Sequence, residues 1–358
     1  MTGARLFTGS FESAVYLLGA VCSVPESVKV LPVINSNFSY HISAGLEDGT
    51  VITGQNAISH PTETSASAGA NDISRAPTPQ PTQAPTPIGS QTPSTSHSQT
   101  SNLRSILTTN LNNFLTPQSP DIETPEDANL PHSHPSLRIS SLNISKQTTT
   151  LLSSPISRIW YINPYGQEIR PSANPKVLDA LSEAGAVIYS IGSLYTSIIP
   201  SLILRGVGEG ISPMKDGSSG PKYKILILNG CLDREVTSRG RQGYGAVDFV
   251  RAIVEACVSS FAGASKIPPL TEKIDGREWR KFVSHVIYLG GEGTPRVERG
   301  WLSGLGIECV RVYGRKVTEG MVYDGMALGQ ALEAIIGRGD VSSMAKGRRN
   351  TMGIVGGA

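Results

Sequence analysis

An α/β fold with a largely parallel, doubly wound sheet is predicted for the C-terminal half of this 358-residue chain. Two observations carry the prediction. Short continuous apolar runs, of the kind buried on both faces of a parallel sheet, recur at residues 186–191, 223–228, 283–289 and 307–313. Stretches with helical spacing stand between and after them, and a repeated strand–helix order implies right-handed crossovers. A third observation is the makeup of the segments after the strands. They are rich in glycine, hydroxyls and charge, at the sheet edge where such folds bind ligands.

The elements before this core read in order as follows. Ser10 is a helix N-cap, followed by Phe11, Ala14, Val15 and Leu18 on one helical face. Residues 29–34 read as a short strand. A hairpin comes next: Tyr40, Ile42, Ala44 and Leu46 alternate, Asp48 and Gly49 turn the chain, and residues 51–53 return it. A helix, a strand and a hairpin do not enclose a core, so this first part, residues 1–65, must pack on something else. Residues 66–150 are rich in Pro, Ser, Thr and Gln. They hold too little apolar surface to offset backbone ordering, and are expected to be a disordered insert. His132 and His134 within it form a His-x-His pair without further ligands, more simply read as solvated than as a metal site.

The core proper spans residues 151–338. Asn174 precedes Pro175, the preferred arrangement at a helix start, with Val177, Leu178 and Leu181 on the buried face. A long amphipathic helix carries Val247, Val250, Val254, Cys257 and Phe261. Trp301 and Leu302 lie on a short helix, and residues 327–336 form a closing one. The tail, 339–358, has no periodicity and is expected to be disordered.

A formal net charge of +2 gives no bulk argument for nucleic acid or an anionic membrane. The four cysteines, Cys22, Cys231, Cys257 and Cys309, are far apart and show no CxxC spacing, so they read as reduced thiols. No apolar run has the length of a membrane helix, and the first residues lack a signal peptide's charged and apolar regions. These features point to a cytoplasmic protein.

Three loops carry the candidate chemistry. Gly192, Ser193, Leu194, Tyr195, Thr196 and Ser197 follow the first core strand. Glycine permits close backbone approach, the hydroxyls are donors, and the N–H groups of the following helix suit a phosphate. The same hydroxyls equally suit ordinary helix capping. Asn229, Asp233, Arg234 and Glu235 follow the second strand. Asn229 is placed to bond a base or ribose, Arg234 to neutralise a phosphate, and Asp233 with Glu235 to hold a bridging metal ion. Mutual ion pairing in a solvated loop is the competing reading. Gly291 lies in a third glycine-rich loop that lacks the GxGxxG spacing. His285 falls within a strand and reads as a core residue. Asp248 suits the first turn of its helix.

The segment from Ala173 to Leu178, with the run Ala186 to Ile191 and then Gly192-Ser193-Leu194-Tyr195-Thr196-Ser197-Ile198-Ile199-Pro200, resembles the 2-phospho-L-lactate transferases and the bacterial gluconeogenesis factors. Supporting matches are Leu46 to Thr50, Gly54 to His60, the opening Gly3 to Ser10, and Ala246 to Val250. The resemblance implies a Rossmann-like three-layer fold. Its transferase branch moves a phospholactyl group from a guanylated donor to a deazaflavin alcohol, using magnesium. Its gluconeogenesis-factor branch binds nucleotide sugars and regulates metabolism, and the loop at 192–197 is more similar to this branch. The resemblance therefore implies a GDP, GTP or UDP-sugar ligand, with Mg2+ as cofactor. Members of the family begin with a strand and a Gly-Gly-Thr-Gly type phosphate loop, which this sequence lacks, so the sheet is expected to be incomplete at its N-terminal side. Two alternatives stand beside a nucleotide-binding phospho-group transferase. One is a non-catalytic regulator whose insert recruits protein partners, with Thr78-Pro79 and Ser119-Pro120 as phosphorylation switches. The other is an inactive fragment. A homo-oligomer is compatible with each.

Overall fold

The computed structural model describes residues 2–36, 40–59, 151–212, 220–238, 243–261, 276–318 and 320–337. The expected insert, with its two histidines, and the tail lie outside the described residues.

Helices α1 (Thr2–Thr8) and α2 (Phe11–Val21) open the chain, and the Ser10 hydroxyl caps α2 by accepting from Ser13 N at 3.1 Å. The hairpin forms as expected from strands β1 (His41–Leu46) and β2 (Val51–Thr53), followed by the short helix α3 (Gln55–Ser59). What it packs on lies downstream. Strands β3 (Ile156–Ile162) and β4 (Glu168–Ile169) extend it into an antiparallel sheet of order β2-β1-β3-β4, so the chain on both sides of the insert shares one sheet.

The strand expected at residues 29–34 is not formed. Val28 and Val30 are exposed, and Pro32 has no N–H to give a ladder. This segment instead offers acceptors: Asn174 donates its N–H to Val33 O at 2.9 Å and its side-chain amide to Pro32 O at 2.9 Å. The Asn174 carbonyl oxygen caps α4 (Pro175–Glu183) by accepting from Lys176 N at 3.1 Å. One buried amide thus starts a helix and anchors the N-terminal segment.

The core is a parallel sheet of order β5-β6-β7-β8, formed by Ala186–Tyr189, Tyr223–Ile227, His285–Leu289 and Glu308–Val312. Strand β5 ends two residues earlier than its apolar run, leaving Ile191 exposed beyond it. Between β5 and β6 lie α5 (Ile199–Leu202) and α6 (Val207–Ile211). Helix α7 (Ala246–Ser259) follows β6 and α8 (Arg299–Gly304) follows β7. Beyond β8 come the strands β9 (Gly314–Lys316) and β10 (Met321–Tyr323), an antiparallel pair, and then α9 (Gly325–Ile336).

Both faces of the parallel sheet are covered, giving three layers. One face meets α5, α6, α7 and the antiparallel sheet in a large core that includes Tyr189, Leu226, Val250, Val254 and Val286. The other face, Ile225, Ile227, Ile287 and Val312, is covered by Leu328, Leu332 and Ile335 of α9. Helix α6 fits against α7 through Gly208, whose missing Cβ would stand 2.1 Å from Cys257 O. Among the described residues no helix is long and apolar enough to cross a membrane.

Candidate functional site

Parallel pairing puts the carboxyl ends of β5, β6 and β7 on one rim, and side-chain bonds link their loops there. The Asn229 amide grips the backbone of Gly192: its Oδ1 accepts from Gly192 N at 3.2 Å and its Nδ2 donates to Gly192 O at 3.1 Å. Leu232 N donates to Gly293 O at 3.2 Å, tying the second loop to the third. The three loops named from sequence therefore do meet at one rim. Asn229 spends both ends of its amide on positioning, rather than presenting them outward to a base.

After Ser193 the backbone makes a π-helical turn, Leu194–Ile198, in which Ser193 O accepts from both Ser197 N and Ile198 N. Pro200 accounts for it. A proline ring collides with the carbonyl four residues back, here that of Thr196, and the wider turn relieves the contact.

The first N–H groups of this turn were expected to be open to a phosphate. They are occupied. Tyr195 N and Thr196 N donate to Glu235 Oε2 at 2.9 and 3.0 Å, while Ser59 Oγ donates to Glu235 Oε1 at 2.9 Å, beside a further bond from Thr196 Oγ1. Glu235 is only 2% exposed. The anion at this helix start is the protein's own carboxylate. Each Glu235 oxygen, expected to meet a metal ion, accepts two hydrogen bonds from the protein itself. Leu194 is wholly buried, and the Tyr195 hydroxyl bonds Ile156 O and the Tyr244 hydroxyl, at 3.2 and 2.8 Å. Both are wall residues of the loop.

The rim near β5 is left with Ser193, Ser197, Asp233 and Arg234. Ser193 makes no capping bond to the helix, and Ser197 is exposed. Asp233 Oδ1 accepts from Glu235 N at 3.1 Å, while Oδ2 is buried and meets no hydrogen-bond geometry among the described residues. Burial first, and the Glu235 charge second, push the Asp233 carboxyl up to about 6. The Ser193 hydroxyl beside it pulls in the opposite direction. One carboxylate oxygen does not make a metal site, and among the described residues no three His, Cys, Asp or Glu side chains converge. These residues do not fit magnesium on their own.

Over β6 and β7 the rim is covered from the α9 side by β9 and β10. Met321 N donates to Gly230 O at 2.9 Å, and the Tyr323 hydroxyl donates to Leu228 O at 2.8 Å. A Cβ on Gly230 would stand 1.8 Å from Met321 O, and one on Gly291 would stand 3.1 Å from Met321 Cγ. Close packing of this hairpin therefore accounts for both glycines, and phosphate approach is not needed to explain Gly291.

Two participants escaped sequence reasoning. Ser59 reaches the Glu235 carboxylate across 176 positions of chain, from a segment noted only for its family likeness. Arg311 lies across Gly290, where a Cβ would stand 2.7 Å from the guanidinium. The alternation of β8, with Val310 and Val312 facing α9, could have placed Arg311 on the opposite face. His285, expected as a core residue, is half-buried at the start of β7, with Nδ1 2.9 Å from the Ser284 hydroxyl and Nε2 3.6 Å from Glu308 Oε2. Asp248 closes the start of α7 by accepting from Gly245 N at 3.0 Å.

A parallel sheet covered on both faces, with its loops gathered at the carboxyl rim, defines the class of three-layer α/β proteins. Within that class, residues 1–276 match the family model described as 2-phospho-L-lactate transferase CofD, and the chain belongs to this family. It is 33% identical over 290 residues to an uncharacterized protein of Saccharomyces cerevisiae, covering 81% of this chain and 58% of that protein. It is also 36% identical over 88 residues to a protein described as a gluconeogenesis factor in Nostoc sp., covering 24% of this chain and 17% of that protein. Thus the chain spans little more than half the length of the first of these relatives, and far less of the second. The crystal structure of protein BH3568 from Bacillus halodurans shares the fold at a TM-score of 0.50 and 16% identity, over 92% of this chain and 69% of that one.

Proposed function

We propose that the β5–β6 end of the rim binds the phosphate-bearing part of a nucleotide or nucleotide sugar. The observation that carries this reading is the Asn229 grip on Gly192, which fixes Ser193 and Ser197 beside the loop that holds Asp233 and Arg234. Phosphate would be met by hydroxyl donors and the Arg234 guanidinium, a charge-assisted contact. The helix start itself, filled by Glu235, would not take part. Transfer of a phosphate-linked group, as the family's description implies, would then rest on positioning and electrostatics. Metal ion, if used, would have to arrive with the ligand's phosphates.

Calorimetric titration of the chain with GDP, GTP and a UDP-sugar, each with and without magnesium, tests the reading. Saturable binding of at least one is expected. A Ser193→Ala/Ser197→Ala double variant should weaken it about tenfold, the equivalent of roughly 1.4 kcal/mol, without moving the thermal midpoint. Absence of heat for all three ligands would remove the proposal.

A further inference from the structure

We propose that Arg311 and Tyr313 form a second subsite at the β7–β8 end of the rim, with Arg311 gripping an anionic group of the ligand and Tyr313 stacking on a planar ring. The inference rests on the nucleotide reading for the ligand's class and deepens it by placing a second contact point across the sheet.

Successive residues of β8 face opposite sides of the sheet: Cys309 packs into the large core, and Val310 into the cluster under α9. Val310 and Val312 pack toward α9, so Arg311 stands on the opposite face, that of the large core. Register pairs Arg311 with Tyr288, but the guanidinium is found further on, against Gly290 just past the end of β7. The side chain has therefore run along the strand toward the rim. Only glycine leaves room for it there, since a Cβ at 290 would meet Nε and Nη2 at 2.7 Å. Arg311 has no ion-pair partner among the described residues, whereas Lys316 pairs with Glu292 and Arg296 with Glu298. A planar guanidinium held over glycine backbone, without a countercharge, suits bidentate contact with a phosphoryl or carboxylate group. Tyr313 follows two residues on, just past the end of β8, and is 87% exposed. Its ring offers an aromatic surface of the kind that stacks on bases. Three inter-strand spacings of ~4.8 Å separate the ends of β5 and β8, about 14 Å, within the span of an extended nucleotide sugar.

The test compares wild type with Arg311→Gln, Gly290→Ala and Tyr313→Ala, titrated with GDP, a UDP-sugar and inorganic pyrophosphate, with thermal midpoints as the folding control. Arg311→Gln should weaken GDP and pyrophosphate about 10- to 100-fold, the loss typical of one charge-assisted bidentate contact. Gly290→Ala displaces only the flexible end of Arg311, so it should reproduce that loss without unfolding and add little to Arg311→Gln in the double variant. Tyr313→Ala should weaken GDP and spare pyrophosphate. Wild-type binding that Arg311→Gln leaves within twofold overturns the subsite while sparing the wider nucleotide reading. Failure of wild type to bind any nucleotide would instead sink both.

Discussion

Replacing Glu235 discriminates a structural carboxylate from a ligand-binding one. Its two oxygens divide the work unevenly: Oε2 accepts both backbone N–H groups, of Tyr195 and Thr196, and Oε1 accepts both hydroxyls, of Ser59 and Thr196. In Glu235→Ala the hydroxyls can bond each other, since they already stand 3.2 Å apart. The two N–H groups lose their acceptor in a buried place. At ~1–3 kcal/mol for each orphaned donor, less the relief of removing a buried carboxylate, the net loss should be about 3 kcal/mol. Glu235→Gln keeps a carbonyl oxygen at the Oε2 position, and its amide can donate to hydroxyls that turn to accept. It should lose only about 1 kcal/mol. Urea unfolding followed by circular dichroism measures both. An alanine variant within 0.5 kcal/mol of wild type would refute the structural role. A glutamine variant as damaging as alanine would show that the charge matters, and the acceptor geometry does not.

Other predictions follow from neighbouring contacts. Asp233→Asn retains the acceptor for Glu235 N and removes a carboxyl raised from 3.8 to about 6, a difference of about 3 kcal/mol at most. With the folded value raised, the stabilising contribution is full below pH 4 and lost as pH climbs through 6. The variant should therefore be more stable than wild type at pH 7, with a flatter stability curve between pH 4 and 6; equal stability at pH 7 would refute this. Gly230→Ala places a methyl against Met321 O and should lift the β9–β10 hairpin, costing about 3 kcal/mol and opening Arg315 and Lys316 to trypsin. Unchanged cleavage there would count against the contact. Gly208→Ala, blocked by Cys257 O, should likewise cost about 3 kcal/mol, read as a lower thermal midpoint.

The parallel sheet was legible because its strands are buried on both faces and keep long apolar runs, and the first hairpin because Asp48 and Gly49 mark its turn. Strand β3 was hidden. Its pairing with β1 shifts register between Gly45 and Leu46, so Ile156 and Ile159 fall out of strict alternation. The three-residue strands β9 and β10 are too short to announce themselves, and β9 holds no apolar residue beyond Gly314. Residues 29–34 misled in the opposite direction, since an apolar run forms a strand only where a ladder partner exists. At the rim, sequence placed the three loops on one edge because parallel connectivity requires it. It could not see that Glu235 faces Ser59, because chain distance hides such a contact. Nor could it see that Gly230 and Gly291 serve the packing of Met321.

That β1 and β3 are ladder partners has a consequence for how this chain tolerates length. To the antiparallel sheet, everything between Ser59 and Leu151 is a single closed loop. The entropy of closing such a loop grows only with the logarithm of its length, about 0.6 kcal/mol for each doubling. A flexible connection at this junction could thus change in length with little thermodynamic resistance, provided that Ser59 keeps its hold on Glu235.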